Sequence, residues 1–161
     1  MNDDFNPQDL ENTEDLFTPD FSEAGGGLAP EGTYTLRLFG APHACISKKG
    51  TAYLTWRLDF LGEDKKYGAI FNRTMIKGRG AGQLRNILVA LGLSNEEAKN
   101  IRIRPRGEIT DPKKGTPADL YVNGEIWDPA GTEITAIITI DKADPATSYS
   151  DQNRISKYLK K

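Results

Sequence analysis

One cysteine, Cys45, and one histidine, His43, are all that a chain of 161 residues offers of the residue types that build disulfides and zinc sites. A lone cysteine excludes an internal disulfide, and the pair falls short of the ligand set a zinc site needs. The two lie two residues apart on a predicted strand, so a Cys–His nucleophile pair is conceivable, but only the spacing favours it. They are read as strand residues near a bend after Pro42. No apolar run approaches the roughly 18 residues of a membrane span, and no basic-plus-apolar leader opens the sequence. A cytoplasmic protein is therefore expected. G-x-S-x-G and zinc-protease patterns are missing, and Asp59, Asp111, Asp119, Asp128 and Asp141 are scattered without metal-binding spacing. The expectation is a protein that is not an enzyme and carries no cofactor or metal.

Positive charge is missing from one end. Residues 1–31 hold nine acidic groups and no basic one, so all 21 basic residues lie beyond them, against 14 acidic ones. The overall charge of -2 thus conceals an acidic arm on a body of about +7. The low mean hydropathy, -0.55, with 37% hydrophobic residues, implies that part of the chain is not packed. Residues 1–29 lack periodicity and end in Gly25-Gly26-Gly27, the composition of a disordered acidic arm and linker. Phe5, Leu16, Phe17 and Phe21 punctuate it, which points to a segment that docks on a partner or on the basic body.

The rest is organised around residues 47–76. Leu54, Trp56, Leu58 and Phe60 alternate with Tyr53, Thr55, Arg57 and Asp59, the period of a half-buried strand. Gly62 to Lys66 forms a polar hairpin loop. In the return arm Phe71, Arg73, Met75 and Lys77 share one side and Ile70, Asn72, Thr74 and Ile76 the other, and the pattern alone leaves the buried side open. Ahead of this hairpin, Thr33–Phe39 reads as a strand that continues past Gly40-Ala41-Pro42 to Ile46, and Ser47-Lys48-Lys49-Gly50 as a tight basic turn. Leu84, Ile87, Leu88 and Leu91 then mark an amphipathic helix stopped by Gly92. Ser94 to Glu97 fits a capping box for a second, short helix. Asp119–Trp127 and Thr132–Asp141 read as two further strands, after which the pattern lapses.

Five or six strands with a helix after the third match an oligonucleotide/oligosaccharide-binding (OB) barrel, with an α+β sandwich as the alternative. The expected division is an acidic arm over 1–29, an OB-like domain over 30–145, and a flexible basic tail over 146–161.

Gly78-Arg79-Gly80-Ala81-Gly82 opens the helix as a phosphate loop would, but lacks the Walker lysine and the βαβ context. The stronger signal is basic residues interleaved with aromatic ones on strands: Tyr53 beside Arg57, and Phe71 beside Arg73 and Lys77. Bases stack on aromatic faces while Lys and Arg follow the backbone, a sequence-tolerant mode suited to single strands. Lys48, Lys49, Arg79, Arg102, Arg104 and Arg106 would extend the basic path. Trp56, on the apolar face, is assigned to the core.

Pro30-Glu31-Gly32-Thr33-Tyr34, SKKGTAYLTWRLDFLG, YGAIFNRTMI and QLRNILVALGL, in this order, resemble a family of small bacteriophage proteins described as single-stranded-DNA-binding-like. The likeness covers residues 30–93, with a weaker echo in Asp119–Ile140. It implies an OB-type fold and a role in phage DNA replication or recombination, in the cytoplasm of an infected bacterial host. Single-stranded DNA is the implied partner, RNA its alternative, with replication or recombination proteins recruited by the arm and a homo-oligomer as a further option. Such binders usually carry their acidic tail at the carboxy terminus, whereas this chain ends Lys157-Tyr158-Leu159-Lys160-Lys161. A protein-interaction or virion-assembly module that binds no nucleic acid is the competing expectation.

Overall fold

The computed structural model describes residues 28–112, 114–142 and 151–159. The expected acidic arm, with Phe5, Leu16, Phe17 and Phe21, lies outside the described residues up to residue 27. No helix among the described residues is long and apolar enough to cross a membrane.

The chain is mainly β. Its strands are β1 (Gly32–Leu38), β2 (His43–Ile46), β3 (Ala52–Phe60), β4 (Ala69–Met75), β5 (Arg102–Pro105), β6 (Thr116–Val122), β7 (Glu125–Trp127), β8 (Glu133–Asp141) and β9 (Gln152–Leu159). Helices α1 (Ala81–Ala90) and α2 (Asn95–Lys99) follow β4, and a 3-10 helix (Gly62–Tyr67) occupies the expected hairpin loop. All pairings are antiparallel, in the order β5-β6-β2-β3-β1-β8-β9, with β4 on the other edge of β3 and β7 on β6. Among the described residues no ladder joins β9 to β4, so the sheet is open.

The central hairpin is the pivot. β3 pairs with β4 along its length, while its other edge is shared by β2 at the start and β1 at the end. β1 and β2 therefore form one path broken at Gly40-Ala41-Pro42, as the sequence led us to expect. Leu54, Trp56, Leu58 and Phe60 face the core together with Leu36, Leu38, Ile134, Ala136 and Ile138. Trp56 is fully buried, and its indole N–H donates to Thr74 Oγ1 at 2.9 Å, which satisfies the one polar atom this large side chain takes inside. That contact settles the inward side of β4: Ile70 and Thr74 are buried, Phe71 and Arg73 exposed.

Helix α1 buries Leu84, Ile87 and Leu88 against β4 and β9. The capping box forms as expected: Ser94 Oγ accepts from the Glu97 N–H, and Glu97 Oε1 accepts from the Ser94 N–H.

Two expectations need correction. Asp119–Trp127 is not one strand but a hairpin, because Asn123 and Gly124 both have positive φ (52° and 82°), the requirement of a two-residue primed turn. Within the expected flexible tail over 146–161, Gln152–Leu159 is not a loose end: it pairs with β8 and extends the domain beyond 145.

Candidate nucleic-acid interface

Alternation along β3 and β4 places Tyr53, Thr55, Arg57 and Asp59 opposite Met75, Arg73, Phe71 and Ala69, on the side of the sheet away from the core. Phe39, just past β1, donates its N–H to the Arg57 carbonyl and so stands beside Arg57 on the opposite edge. One row across the sheet thus reads Phe39, Arg57, Phe71. Both rings are open to solvent, at 56% and 64% exposure, which is unusual for phenylalanine. The Arg57 guanidinium lies 4.1 Å from the Phe39 ring centroid and pairs with Asp59 Oδ1 at 2.9 Å.

Beside this row is a shallow cleft of about 310 Å³, lined by Arg37, Arg57, Asp59 and Lys65 among others. Its rim is mostly cationic, although Arg37 is itself paired with Glu133 at 3.0 Å. Exposed pairs of this kind contribute on the order of 0–1 kcal/mol, so an incoming phosphate can compete for either arginine at small cost.

A second row runs further. The registers carry Arg73 to Thr55, Thr55 to His43, His43 to Pro117, and the Arg106 N–H bonds to the Pro117 carbonyl. Arg73 and Arg106 therefore end one row that crosses β4, β3, β2 and β6 to the end of β5. Four steps at about 4.8 Å make this path roughly 19 Å long. Arg104 lies over the Tyr121 ring, 5.8 Å from its centroid, and Arg106 pairs with Asp119 at 2.8 Å. Among the described residues Arg73 and Arg104 form no ion pair.

Tyr53 requires a correction. Its ring faces outward as expected but is only 8% exposed, with the Arg73 guanidinium 5.6 Å from its centroid. Arg73 is the diagonal cross-strand neighbour of Tyr53, close enough for a long side chain to cover the ring. Tyr53 supports Arg73 and offers no open stacking surface.

Of the other expected residues, Arg102 lies on β5 with Arg104, and Lys48 and Lys49 are exposed in the β2–β3 turn. Lys77 and Arg79 are exposed between β4 and α1, off the two rows. Phe39 was missed as a contact. Its alternation with Arg37 was legible, but the bend at Gly40 hid its neighbour across β3.

His43 and Cys45 share this side, and each side chain has a contact of its own. The His43 ring nitrogen Nδ1 meets the Lys114 carbonyl at 3.0 Å, while the Cys45 thiol sits near the backbone oxygen of His43 and near Thr55 Oγ1. Cys45 is 1% exposed, covered by the loop that contains Gly115. Among the described residues no group of three His, Cys, Asp or Glu side chains could hold a metal ion.

No protein-family model matches the chain, and no curated protein matches it either.

Proposed function

We propose that this chain is a non-enzymatic single-stranded-DNA-binding protein, gripping the strand on the outer side of β3 and β4. The observation that carries the reading is the row Phe39–Arg57–Phe71, two solvent-open aromatic rings flanking a cation on the outer side of the sheet. Bases stack on such rings without regard to sequence, at about 1–3 kcal/mol each, while arginines hold the phosphates. The row from Arg73 to Arg106 supplies the backbone path. An OB-type barrel is the fold we infer: the ladder runs from β4 through β3, β1 and β8 to β9, and Asn72 Nδ2 donates to Tyr158 Oη across the remaining gap. The phage resemblance of residues 30–93 supports a role in DNA replication or recombination within an infected bacterial host.

The test is fluorescence anisotropy of a labelled oligo-dT of about 30 nucleotides titrated with the full chain at low and moderate salt, with oligo-U as the RNA arm. Binding that weakens steeply with salt is the expected result. No binding at low salt would refute the reading and favour the assembly module.

A further inference from the structure

A second concave feature lies away from the arginine rows, between α1, α2 and β9. It is a groove of about 880 Å³. Its floor is apolar, with Val89 from α1 and Ile155 and Leu159 from β9, all only partly covered. Its rim carries exposed Arg85, Lys99 and Lys157 against a single acid, Glu96. An apolar floor with a cationic rim fits an extended segment that combines apolar side chains with carboxylates.

This chain contains such a segment, attached beside the groove. Ala29 is fully buried, its N–H donates to Asn153 Oδ1, and Asn153 Nδ2 donates back to the Ala29 carbonyl, both at 2.9 Å. The paired bonds fasten the base of the acidic arm to the start of β9, the strand whose later residues, Ile155 to Leu159, line the groove. From Asn153 to Leu159 is about 20 Å at roughly 3.3 Å per residue. The seven residue steps from Leu28 back to Phe21 span up to about 23 Å, so Phe21, Phe17 and Leu16 all reach it. The charges agree as well: residues 1–27 hold acidic groups and no basic ones.

We propose that the groove between α1, α2 and β9 is the docking site of the chain's own residues 1–27, with Leu16, Phe17 or Phe21 on the apolar floor and neighbouring carboxylates on Arg85, Lys99 and Lys157. The docking is independent of the nucleic-acid reading. It uses a surface off the Phe39–Arg57–Phe71 row, so either proposal can fail alone.

The experiment uses the full chain with Phe17 replaced by the photo-crosslinking residue benzoylphenylalanine, irradiated without DNA, followed by peptide mapping. An equal mixture of isotopically light and heavy protein distinguishes crosslinks within one chain from those between two. The expected result is an intrachain crosslink to α1 or β9. Charge reversal by Arg85→Glu with Lys157→Glu should reduce its yield several-fold while leaving the circular-dichroism melt in place. The same label at position 21 serves as a second probe, so that one unfavourable geometry does not decide the outcome. Crosslinks that join two chains, that map to another surface, or that form at neither position overturn the proposal.

Discussion

Arg57 of β3 and Phe39, just past β1, are separated in the chain by a bend, β2 and a turn, yet the guanidinium rests on the ring at 4.1 Å. Phe39 nevertheless stays more than half exposed. Phe71, across the ladder, completes the row. If bases stack here, Phe39→Ala and Phe71→Ala should each weaken oligo-dT binding by about 1–3 kcal/mol, roughly 5- to 150-fold. Both rings are more than half exposed, so stability should change by less than about 0.5 kcal/mol. Anisotropy titrations beside urea melts check both halves. Wild-type affinity in both variants would remove the stacking row. Tyr53→Ala supplies the contrast, since its buried ring should cost stability first.

Arg73, like Arg104, can meet a phosphate without first leaving a carboxylate. Among the described residues it has no ion-pair partner, while Arg57 and Arg106 are bound to Asp59 and Asp119. Replacing it with alanine should reduce the slope of log affinity against log salt by about 0.7, the share of one phosphate on a single strand. Arg106→Ala should change the slope less, because Asp119 already offsets part of its charge. An equal change from both would mean that the ion pair does not persist in the complex.

How much of this was legible in the sequence depends on whether a strand kept its period. β3 and α1 did, and both lie where their apolar spacing placed them. β9 did not. Ile137 pairs with Lys157 but Ile138 pairs with Ile155, so Ser156 is an extra residue and a bulge shifts the alternation by one. Asn153 and Ile155 turn inward on one phase and Tyr158 on the other, and a reader counting by twos loses the strand. The Asn123-Gly124 turn had an explicit signal, the strongest short hairpin dipeptide, hidden inside a run that otherwise looked continuous. At the site, parity put Phe71 and Arg73 on one side of β4, and only the Trp56–Thr74 contact shows that this side faces out. The row joining them to Phe39 was not readable, because it depends on how two strand pieces share one edge of β3.

Tyr158 links that late strand to the hairpin and makes stability sensitive to alkali. Burial pushes its hydroxyl well above the ordinary tyrosine value of 10.0, and the hydrogen bond donated by Asn72 offsets only part of this. The folded state therefore keeps the proton where the unfolded chain has lost it. Its contribution is fully present below pH 10.0 and is lost as pH rises beyond that value. Tyr158→Phe should cost about 1 kcal/mol near neutrality, by leaving the Asn72 amide without its acceptor. Above pH 10.0 its stability should fall less steeply than that of the wild type. Urea melts at pH 8 and at pH 10.5 test the sign directly. A steeper alkaline loss in the variant would contradict the assignment of Tyr158 as a neutral, buried group.

Gly115 closes the loop that shields Cys45, and it does so where no side chain fits. Its φ is +68°, and a Cβ would lie 2.2 Å from the Ala44 carbonyl oxygen and 2.6 Å from the Cys45 sulfur. Backbone strain of about 1–2 kcal/mol and overpacking of about 1–3 kcal/mol both oppose an alanine there. Rather than accept the clash against the rigid carbonyl of β2, the loop should lift. Gly115→Ala is therefore expected to lower the melting temperature by several degrees and to speed the reaction of Cys45 with a thiol reagent under native conditions. Gly107→Ala is the control, because nothing lies within 4 Å of its Cβ position, and it should change neither quantity. Equal thiol reactivity in Gly115→Ala and the wild type would mean that the loop accommodates the methyl without opening, and that Cys45 is protected by β2 and β3 rather than by the loop.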